Sequence, residues 1–466
     1  MSMKTYDVIV IGGGISGMLA ALLLAKKKMK VALIERTKLL GGFFKTINLD
    51  GKVLPYGAHH IGLGGNTLKK FFEKIDIDID IGFKVQDIFH IKIGEKEYEI
   101  PIDLAKLSKS LVQYFPHQQN EIIDFFNKII SFSKDLEEDN EHRVAEYFRK
   151  TVSIPYIDFL KERFKDETLI LLLLSIGPGY GGVNEQDSAF TYISILATYG
   201  KGSGYFKDYG KNLYHLLIEK MDELGVEVYL SSHFEIDRFN EHNVQGTLLQ
   251  NGELELAVTG KKVIVACQPL GILNKAFEQG IIHHRELTKF SKLKKSPTAF
   301  RSYLKINKKA SLKKGEYIFC PNENIHISLQ QYIDIRRGKL PVSIISIFED
   351  DHYYYAMITC NYSSEASYDI DKHETNSFIN KQFCEIFGVN RQDIERSLLM
   401  AYRDNQSPAF LPVFGWYRNQ IGNISLNSLD IIEKRLKNVY FIGHWSKSFG
   451  IYGSVLSVTD CMVRMA

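Results

Sequence analysis

The chain begins with a strand, a glycine-rich turn, a helix, a second strand and an acid, in that order. Residues 6–11 (Tyr-Asp-Val-Ile-Val-Ile) run directly into the turn Gly12-Gly-Gly-Ile-Ser-Gly17. Residues 18–25 have the apolar pattern of a buried helix, and residues 30–34 form a second strand pattern that ends at Glu35. A GxGxxG spacing alone is weak evidence, but here the flanking elements match a βαβ unit that binds a dinucleotide.

The spaced glycines and the acid have separate physical roles. Gly12 permits a tight turn, Gly14 lets the backbone approach the phosphates, and Gly17 lets the helix pack closely on the strand. The diphosphate is then expected at the helix N-terminus. Glu35 can accept hydrogen bonds from the adenosine ribose, and its carboxylate would repel a 2′-phosphate, so the motif favours NAD or FAD.

A second glycine pair favours FAD over NAD. Gly41 and Gly42 follow Glu35 closely and are succeeded by Phe43. Such a pair lets a backbone loop pass close to the far end of an extended FAD molecule, which a simple NAD site does not require.

Composition excludes several classes of function. The 466 residues are enough for two or three domains, and 58 Lys and Arg against 55 Asp and Glu leave a net charge of only +3. We therefore expect no general attraction to nucleic acid. The five cysteines have no CxxC pair or metal-ligand spacing, so we expect no metal site and interpret them as buried thiols of a reducing compartment.

The ends and apolar runs favour a soluble protein. The first strand begins within six residues of the start, which leaves no room for a signal peptide, and the longest apolar run, residues 169–174, is far shorter than a membrane span. We expect a cytoplasmic protein without a transmembrane segment; peripheral membrane contact stays open.

Two kinds of segment alternate along the chain, which predicts an α/β fold with interleaved domains. A Rossmann-type FAD-binding domain is expected from residues 1–75, 205–275 and 405–466. Residues 76–204 and 276–404 are expected to form an α+β substrate-binding domain, a mixed sheet roofed by helices. It includes a predicted hairpin over residues 89–100.

These motifs resemble the N-terminal signature of the flavin amine oxidase superfamily, which includes protoporphyrinogen oxidases, phytoene desaturases and, more distantly, UDP-galactopyranose mutases. The resemblance continues in order along the chain. Residues 56–60 (Tyr-Gly-Ala-His-His) are similar to the segment that passes beside the isoalloxazine ring. Residues 226–228 resemble the segment that meets the adenine, and residues 441–457 resemble the C-terminal flavin motif. No cysteine stands near the expected ring position, so we predict that FAD binds noncovalently.

The glycine motif and the resemblance together predict the residues that contact FAD. They are Gly12, Gly14, Ile15, Ser16, Gly17, Glu35, Arg36, Gly41, Gly42, Phe43, Gly57, Ala58, His59, Val228, Gly443, His444, Gly453, Ser454 and Val455. Two depart from the family pattern, which usually has arginine at the position of Phe43 and an acid at that of His444. We therefore expect altered contacts to the ribitol and the diphosphate.

Candidate groups for chemistry lie in two of these segments. His59 and His60 could contact substrate or transfer a proton, because imidazole titrates near neutrality; the alternative is a hydrogen-bonded structural histidine. Gly453, Ser454 and Val455 open a predicted helix over residues 454–465, and their amides would stabilise negative charge on reduced flavin.

A second dinucleotide site is not expected. Residues 177–182 (Gly-Pro-Gly-Tyr-Gly-Gly) also match the GxGxxG spacing, but Pro178 predicts a turn, and no strand with an acid follows. A flavoprotein reduced by NAD(P)H generally carries another nucleotide-binding unit. The substrate itself is therefore expected to reduce the flavin.

The leading prediction is an FAD-dependent oxidoreductase, similar to amine oxidases and desaturases. It would dehydrogenate a small organic molecule by hydride transfer to flavin, with oxygen, a quinone or a carrier as external electron acceptor. Two alternatives stay open. One is a redox-neutral flavin-dependent mutase or isomerase resembling UDP-galactopyranose mutase, and the other is a flavin-holding protein without catalysis.

Overall fold

The computed structural model of the chain describes residues 3–57, 60–62, 66–79, 83–85, 88–138, 140–181, 187–250, 253–292, 298–322, 340–362, 371–401, 428–444 and 450–466. Ala58 and His59 therefore lie outside the described residues.

The α-helices of the described residues are numbered in chain order. They are α1 Ile15–Lys26, α2 Thr67–Glu73, α3 Leu104–Tyr114, α4 Gln119–Glu137, α5 Glu141–Thr151, α6 Tyr156–Lys161, α7 Glu167–Gly181, α8 Ala189–Tyr199, α9 Lys211–Glu223, α10 Leu270–Glu278, α11 His284–Ser291, α12 Lys372–Phe387, α13 Ser428–Leu436 and α14 Gly450–Met465.

The β-strands are numbered in the same way. They are β1 Lys4–Ile11, β2 Val31–Ile34, β3 Thr46–Leu49, β4 Lys52–Pro55, β5 Ile61–Gly62, β6 Phe83–Val85, β7 Ile88–Ile93, β8 Lys96–Pro101, β9 Ser203–Phe206, β10 Glu227–Tyr229, β11 Ser232–Phe239, β12 Val244–Gln250, β13 Glu253–Val265, β14 Thr298–Asn307, β15 Gly315–Cys320, β16 Ser343–Glu349, β17 Tyr353–Tyr362, β18 Ile394–Ala401 and β19 Val439–Phe441.

The chain divides into two compact units. The first, here called the nucleotide unit, comprises Met1–Lys84, Gly204–Lys294 and Ser425–Ala466. The second unit comprises Val85–Ser203 and Lys295–Ile424. That the first binds FAD and the second binds substrate stays a prediction.

A seven-stranded sheet forms the centre of the nucleotide unit. Its order is β10-β2-β1-β13-β12-β11, with β19 also paired to β13. Strands β10, β2, β1, β13 and β19 are parallel, whereas β12 and β11 continue as an antiparallel ribbon. Residues 8–10 of β1 are fully buried because neighbouring strands and helices cover a central parallel strand on both faces. Helix α1 is apolar on nearly all sides, typical of a helix enclosed by protein.

The second unit contains its own seven-stranded sheet and a group of helices. The strand order is β18-β14-β17-β16-β15-β7-β8, antiparallel throughout except for the parallel pair β15 and β7. The predicted hairpin is confirmed as β7 and β8, whose strands join at Gly94 and Glu95. The predicted α/β fold class is confirmed.

Three local predictions are corrected. The C-terminal helix begins at Gly450 rather than Ser454. The prediction of a turn at Pro178 is wrong, because α7 continues through this residue to Gly181. The helix tolerates the absence of the backbone hydrogen bond that proline cannot donate. Two of the five cysteines, Cys267 and Cys384, are partly exposed rather than buried.

Within the described residues, no helix combines the length and apolar character needed to cross a bilayer.

A cluster of polar side chains ties the short strand β10 to β1. The Tyr6 hydroxyl lies 2.6 Å from Glu227 Oε2 and 2.7 Å from the Tyr229 hydroxyl. Lys4 Nζ donates to the same carboxylate oxygen and to the Tyr229 hydroxyl, both at 2.9 Å. Partial burial opposes ionisation of Glu227, but the hydrogen bonds from Tyr6, Lys4 and Tyr229 outweigh it and lower its pKa to about 2.

This cluster predicts acid-sensitive stability. Because the folded-state pKa of Glu227 is depressed, its contribution is present above pH 4.5 and is lost as the pH falls towards 2. At pH 6 we expect the unfolding free energy of the wild type to be about 1 kcal/mol higher than that of Glu227→Gln. The expected difference is small because solvent screens the partly exposed Glu227 carboxylate. The difference should shrink in urea titrations at pH 3, and a pH-independent difference would contradict this account.

Candidate dinucleotide site

The glycine turn between β1 and α1 has the geometry that its three glycines predict. Gly12 has a φ of +106°, and a Cβ there would lie 3.0 Å from the carbonyl oxygen of Ala266. A Cβ on Gly17 would collide with the carbonyl oxygen of Gly12. Both positions therefore exclude larger residues for reasons within the fold.

Gly14 differs, because a Cβ there would meet no atom of the described residues within 4 Å. Its backbone is extended (φ −69°, ψ 175°), so the fold does not require glycine at this position. Gly14 is the N-cap of α1, which includes Ile15 and Ser16 in its first turn, and no side chain caps the helix. Because a helix N-terminus presents free backbone amides, the open space beside Gly14 fits a diphosphate.

Glu35 is held beside the glycine turn by three donors. Its Oε2 accepts a hydrogen bond from Gly13 N at 2.7 Å, and its Oε1 accepts from the backbone N and the hydroxyl of Thr37, both at 2.8 Å. A carboxylate offers about four lone-pair positions, so capacity for a ribose hydroxyl remains. Sequence reasoning missed Thr37, although threonine two residues from an acid commonly forms such local hydrogen bonds.

Three other predicted or neighbouring residues lie on the elements around Glu35. Arg36 is exposed, and Val228 on β10 is 38% exposed. Cys267 follows β13, and a Cβ on Gly12 would lie 3.2 Å from its Cβ. The partial burial of the Cys267 thiol, and secondarily the charge of Glu35, raise its pKa to about 12, so this sulfur is protonated at neutral pH.

The second glycine pair packs directly against the first turn. Gly41 N donates to Gly13 O at 2.7 Å, and a Cβ on Gly42 would lie 3.2 Å from the Cα of Gly14. Gly41 has a φ of +96°, and a Cβ there would lie 2.9 Å from the ring of Tyr214. The structure therefore brings the two glycine motifs together, and Tyr214 on α9 is a neighbour that sequence reasoning missed.

The C-terminal segment meets the same helix end. Ser16 Oγ donates to Ser454 Oγ at 2.9 Å in a buried hydrogen bond across 438 residues of sequence. Gly443 has a φ of +79°, and a Cβ there would lie 2.9 Å from Ser16 Oγ. Its amide donates to Ser457 Oγ at 2.7 Å. Both termini of the chain thus contribute to one site.

The earlier start of α14 changes the expected role of three residues. Gly453, Ser454 and Val455 are buried within the helix rather than at its open end. By α-helical geometry, the amide of Ser454 pairs with the carbonyl of Gly450. Free amides of this helix must precede them, so these three residues are not the predicted amide donors at its N-terminus.

Phe43 lies at the centre of an aromatic group that also contains Tyr56 and His444, two rings from other predicted flavin segments. The Phe43 ring stacks on Tyr56 (centroids 6.3 Å apart) and lies 6.4 Å from the His444 ring. A Cβ on Gly57 would lie 2.5 Å from the carbonyl oxygen of Phe43. His60 is partly buried, and its catalytic role stays a prediction, as does that of His59.

A family model matches the first part of the chain. The model of the NAD(P)-binding Rossmann-like domain covers residues 10–75, which contain both glycine motifs and Glu35.

Two curated relatives cover larger parts of the chain. Prolycopene isomerase 2 from an Oncidium hybrid cultivar is 30% identical over 168 residues, which are 32% of this chain and 27% of that protein. Beta-cyclopiazonate dehydrogenase from Aspergillus oryzae is 23% identical over 272 residues, 57% of this chain and 55% of that protein. The chain thus spans between about a quarter and about half of the length of these relatives.

Solved structures match the complete fold. Putrescine oxidase bound to putrescine has a TM-score of 0.68 at 15% identity and covers 100% of this chain and 99% of its own. A putative protoporphyrinogen oxidase from Exiguobacterium sp. 255-15 has a TM-score of 0.64 at 13% identity, with the same coverage. The chain therefore has the fold of a putrescine oxidase and of a putative protoporphyrinogen oxidase, and the resemblance predicted from its motifs is confirmed at the level of the fold.

Proposed function

We propose that this protein is an FAD-dependent oxidoreductase. The observation that carries the proposal is that groups from two distant segments, the N-terminal and the C-terminal one, meet at the N-terminus of α1. The open backbone face of Gly14, the oriented carboxylate of Glu35 and the segment at Gly443 meet there. The matching oxidase structures and dehydrogenase relative support the same class of activity.

The described residues divide between the two ends of the cofactor. The first amides of α1 would bind the diphosphate, Glu35 would accept from the ribose, and Val228 would lie against the adenine. Phe43, Tyr56 and His444 would border the ring end. FAD binding is proposed to be noncovalent, because the sequence places no cysteine near the expected ring position.

The proposed reaction is dehydrogenation of a small organic substrate at a C–N bond of an amine or a C–C bond of a polyene or porphyrinogen. Bound FAD would accept the hydride, and an external acceptor such as oxygen, a quinone or a carrier would restore it. The chain's own part is to position the substrate carbon, exclude water and accept the released proton. His59 and His60 are the proposed groups for that proton.

A redox-neutral isomerase is the second candidate. The 30% identity to a prolycopene isomerase favours it, since that relative's name describes isomerisation rather than oxidation. The two candidates share the flavin site and differ in whether electrons leave the protein.

Anaerobic spectroscopy tests both candidates. We expect the purified chain to be yellow and to release FAD on denaturation, which mass spectrometry identifies. Mixing it without oxygen with amine, polyene or porphyrinogen substrates should bleach the flavin absorbance if the protein dehydrogenates one of them. Turnover that requires pre-reduced flavin and leaves it reduced selects the isomerase. A colourless protein that gains no thermal stability from FAD contradicts both.

A further inference from the structure

Lys45 has an unusual environment for a lysine of this chain. It follows the short 3₁₀ turn Gly42–Phe44 and is partly buried. Its ammonium lies 4.7 Å from the centroid of the Tyr56 ring. In the part of the chain that the structure describes, this ring is its contact, and no oxygen lies at hydrogen-bond distance from Nζ.

Two other partly buried lysines, Lys92 and Lys305, have carboxylate partners. Lys92 Nζ lies 3.1 Å from Glu97, and Lys305 Nζ lies 3.5 Å from Glu395. Burial lowers the pKa of Lys45, and the charge of Glu35 opposes this shift only from a distance. The Glu35 carboxylate instead accepts hydrogen bonds from Gly13 and Thr37. The desolvation of the Lys45 ammonium is therefore incompletely compensated by the described residues.

The location of Lys45 specifies the kind of partner. It lies three residues after Gly42, which packs against Gly14 at the diphosphate end, and its ammonium faces Tyr56 in the aromatic group at the ring end. A phosphate or carboxylate oxygen placed here would gain a charge-assisted hydrogen bond.

We propose that Lys45 is the cation of an anion site beside the glycine pair, which binds a phosphate oxygen of FAD or a carboxylate of the substrate. The proposal rests on the proposed function, because both anions enter through the flavin site. It identifies a binding residue that the glycine motifs do not contain.

The test compares Lys45→Met with Lys45→Arg, using Lys38→Met as a control. Lys38 is exposed on the same loop and carries the same charge. Dilution of each holoprotein, followed by flavin fluorescence, gives the Kd of FAD. Benzoate titration, followed by the flavin spectrum, gives the affinity for a carboxylate.

Lys45→Met should lower the affinity for either FAD or benzoate by about ten-fold. Lys45→Arg should retain most of the wild-type affinity for that ligand. Loss of FAD affinity identifies the diphosphate as the anion, whereas loss of benzoate affinity with FAD retained identifies a carboxylate. Unchanged affinity for FAD together with an unchanged or absent benzoate response overturns the proposal, as does an equal loss in Lys38→Met. If Lys45→Met does not fold, the same comparison is made with Lys45→Gln. A wild-type chain without flavin would instead refute the proposed function.

Discussion

Replacing Gly14 by alanine is expected to weaken FAD binding by about 100-fold while leaving the stability of the flavin-free chain unchanged. Among the residues that the structure describes, no atom lies within 4 Å of a methyl group at this position, and the extended backbone suits alanine. The added methyl would instead occupy the space through which the diphosphate approaches the first amides of α1. The effect therefore falls on the bound state.

Gly17→Ala is the matched comparison. Its added methyl would collide with the carbonyl oxygen of Gly12, so the loss should appear in the thermal midpoint of the flavin-free protein. Fluorescence titration with FAD and thermal unfolding without it separate the two effects. A Gly14→Ala protein that binds FAD as wild type does would show that the diphosphate lies elsewhere.

Glu433→Ala is expected to lower the unfolding free energy of the nucleotide unit by about 3–5 kcal/mol. Glu433 on α13 is buried, accepts a hydrogen bond from Phe441 N at 2.6 Å and pairs with Arg464 on α14. Alanine would leave the Arg464 charge partly buried and the Phe441 amide without its acceptor. The thermal midpoint should fall by roughly 5–15 °C.

Asp460→Ala is the control, because Asp460 also pairs with Arg464 at 3.0 Å but its side chain is largely exposed. Its removal should change stability by less than about 1 kcal/mol. Glu433→Gln keeps an acceptor for Phe441 N, so its thermal midpoint should lie between those of Glu433→Ala and Asp460→Ala. This variant can also be measured if Glu433→Ala does not fold. Equal midpoints for Glu433→Ala and Asp460→Ala would contradict a buried ion pair at this position.

The N-terminal half of the site was predictable because its determinants are local in sequence. The strand β1, the helix α1 and the acid after β2 follow from apolar periodicity, and Gly12 and Gly17 meet requirements of the local backbone. The hairpin of β7 and β8 was predictable for the same reason, since its alternation and turn lie within fourteen residues.

The start of α14 was predicted at Ser454, four residues too late, because Gly450 and Gly453 have low helix propensity. In the structure, Ile451, Val455 and Val458 form a buried apolar face at helical spacing, and burial of that face stabilises the helix from Gly450 onwards. Tertiary packing thus outweighs the low helix propensity of Gly450 and Gly453.

Local patterns in the chain specified the glycine turn and the acid after β2 and predicted the class of cofactor proposed above, because such turns depend on backbone conformations that only certain residues adopt. Tertiary structure decided which distant groups complete the site. The Ser16–Ser454 hydrogen bond, the Tyr214 ring against Gly41 and the Lys45 ammonium over Tyr56 all depend on side-chain packing in three dimensions. Spacing along the chain carries no record of such packing, because non-local contacts form only when the whole unit buries its apolar surface.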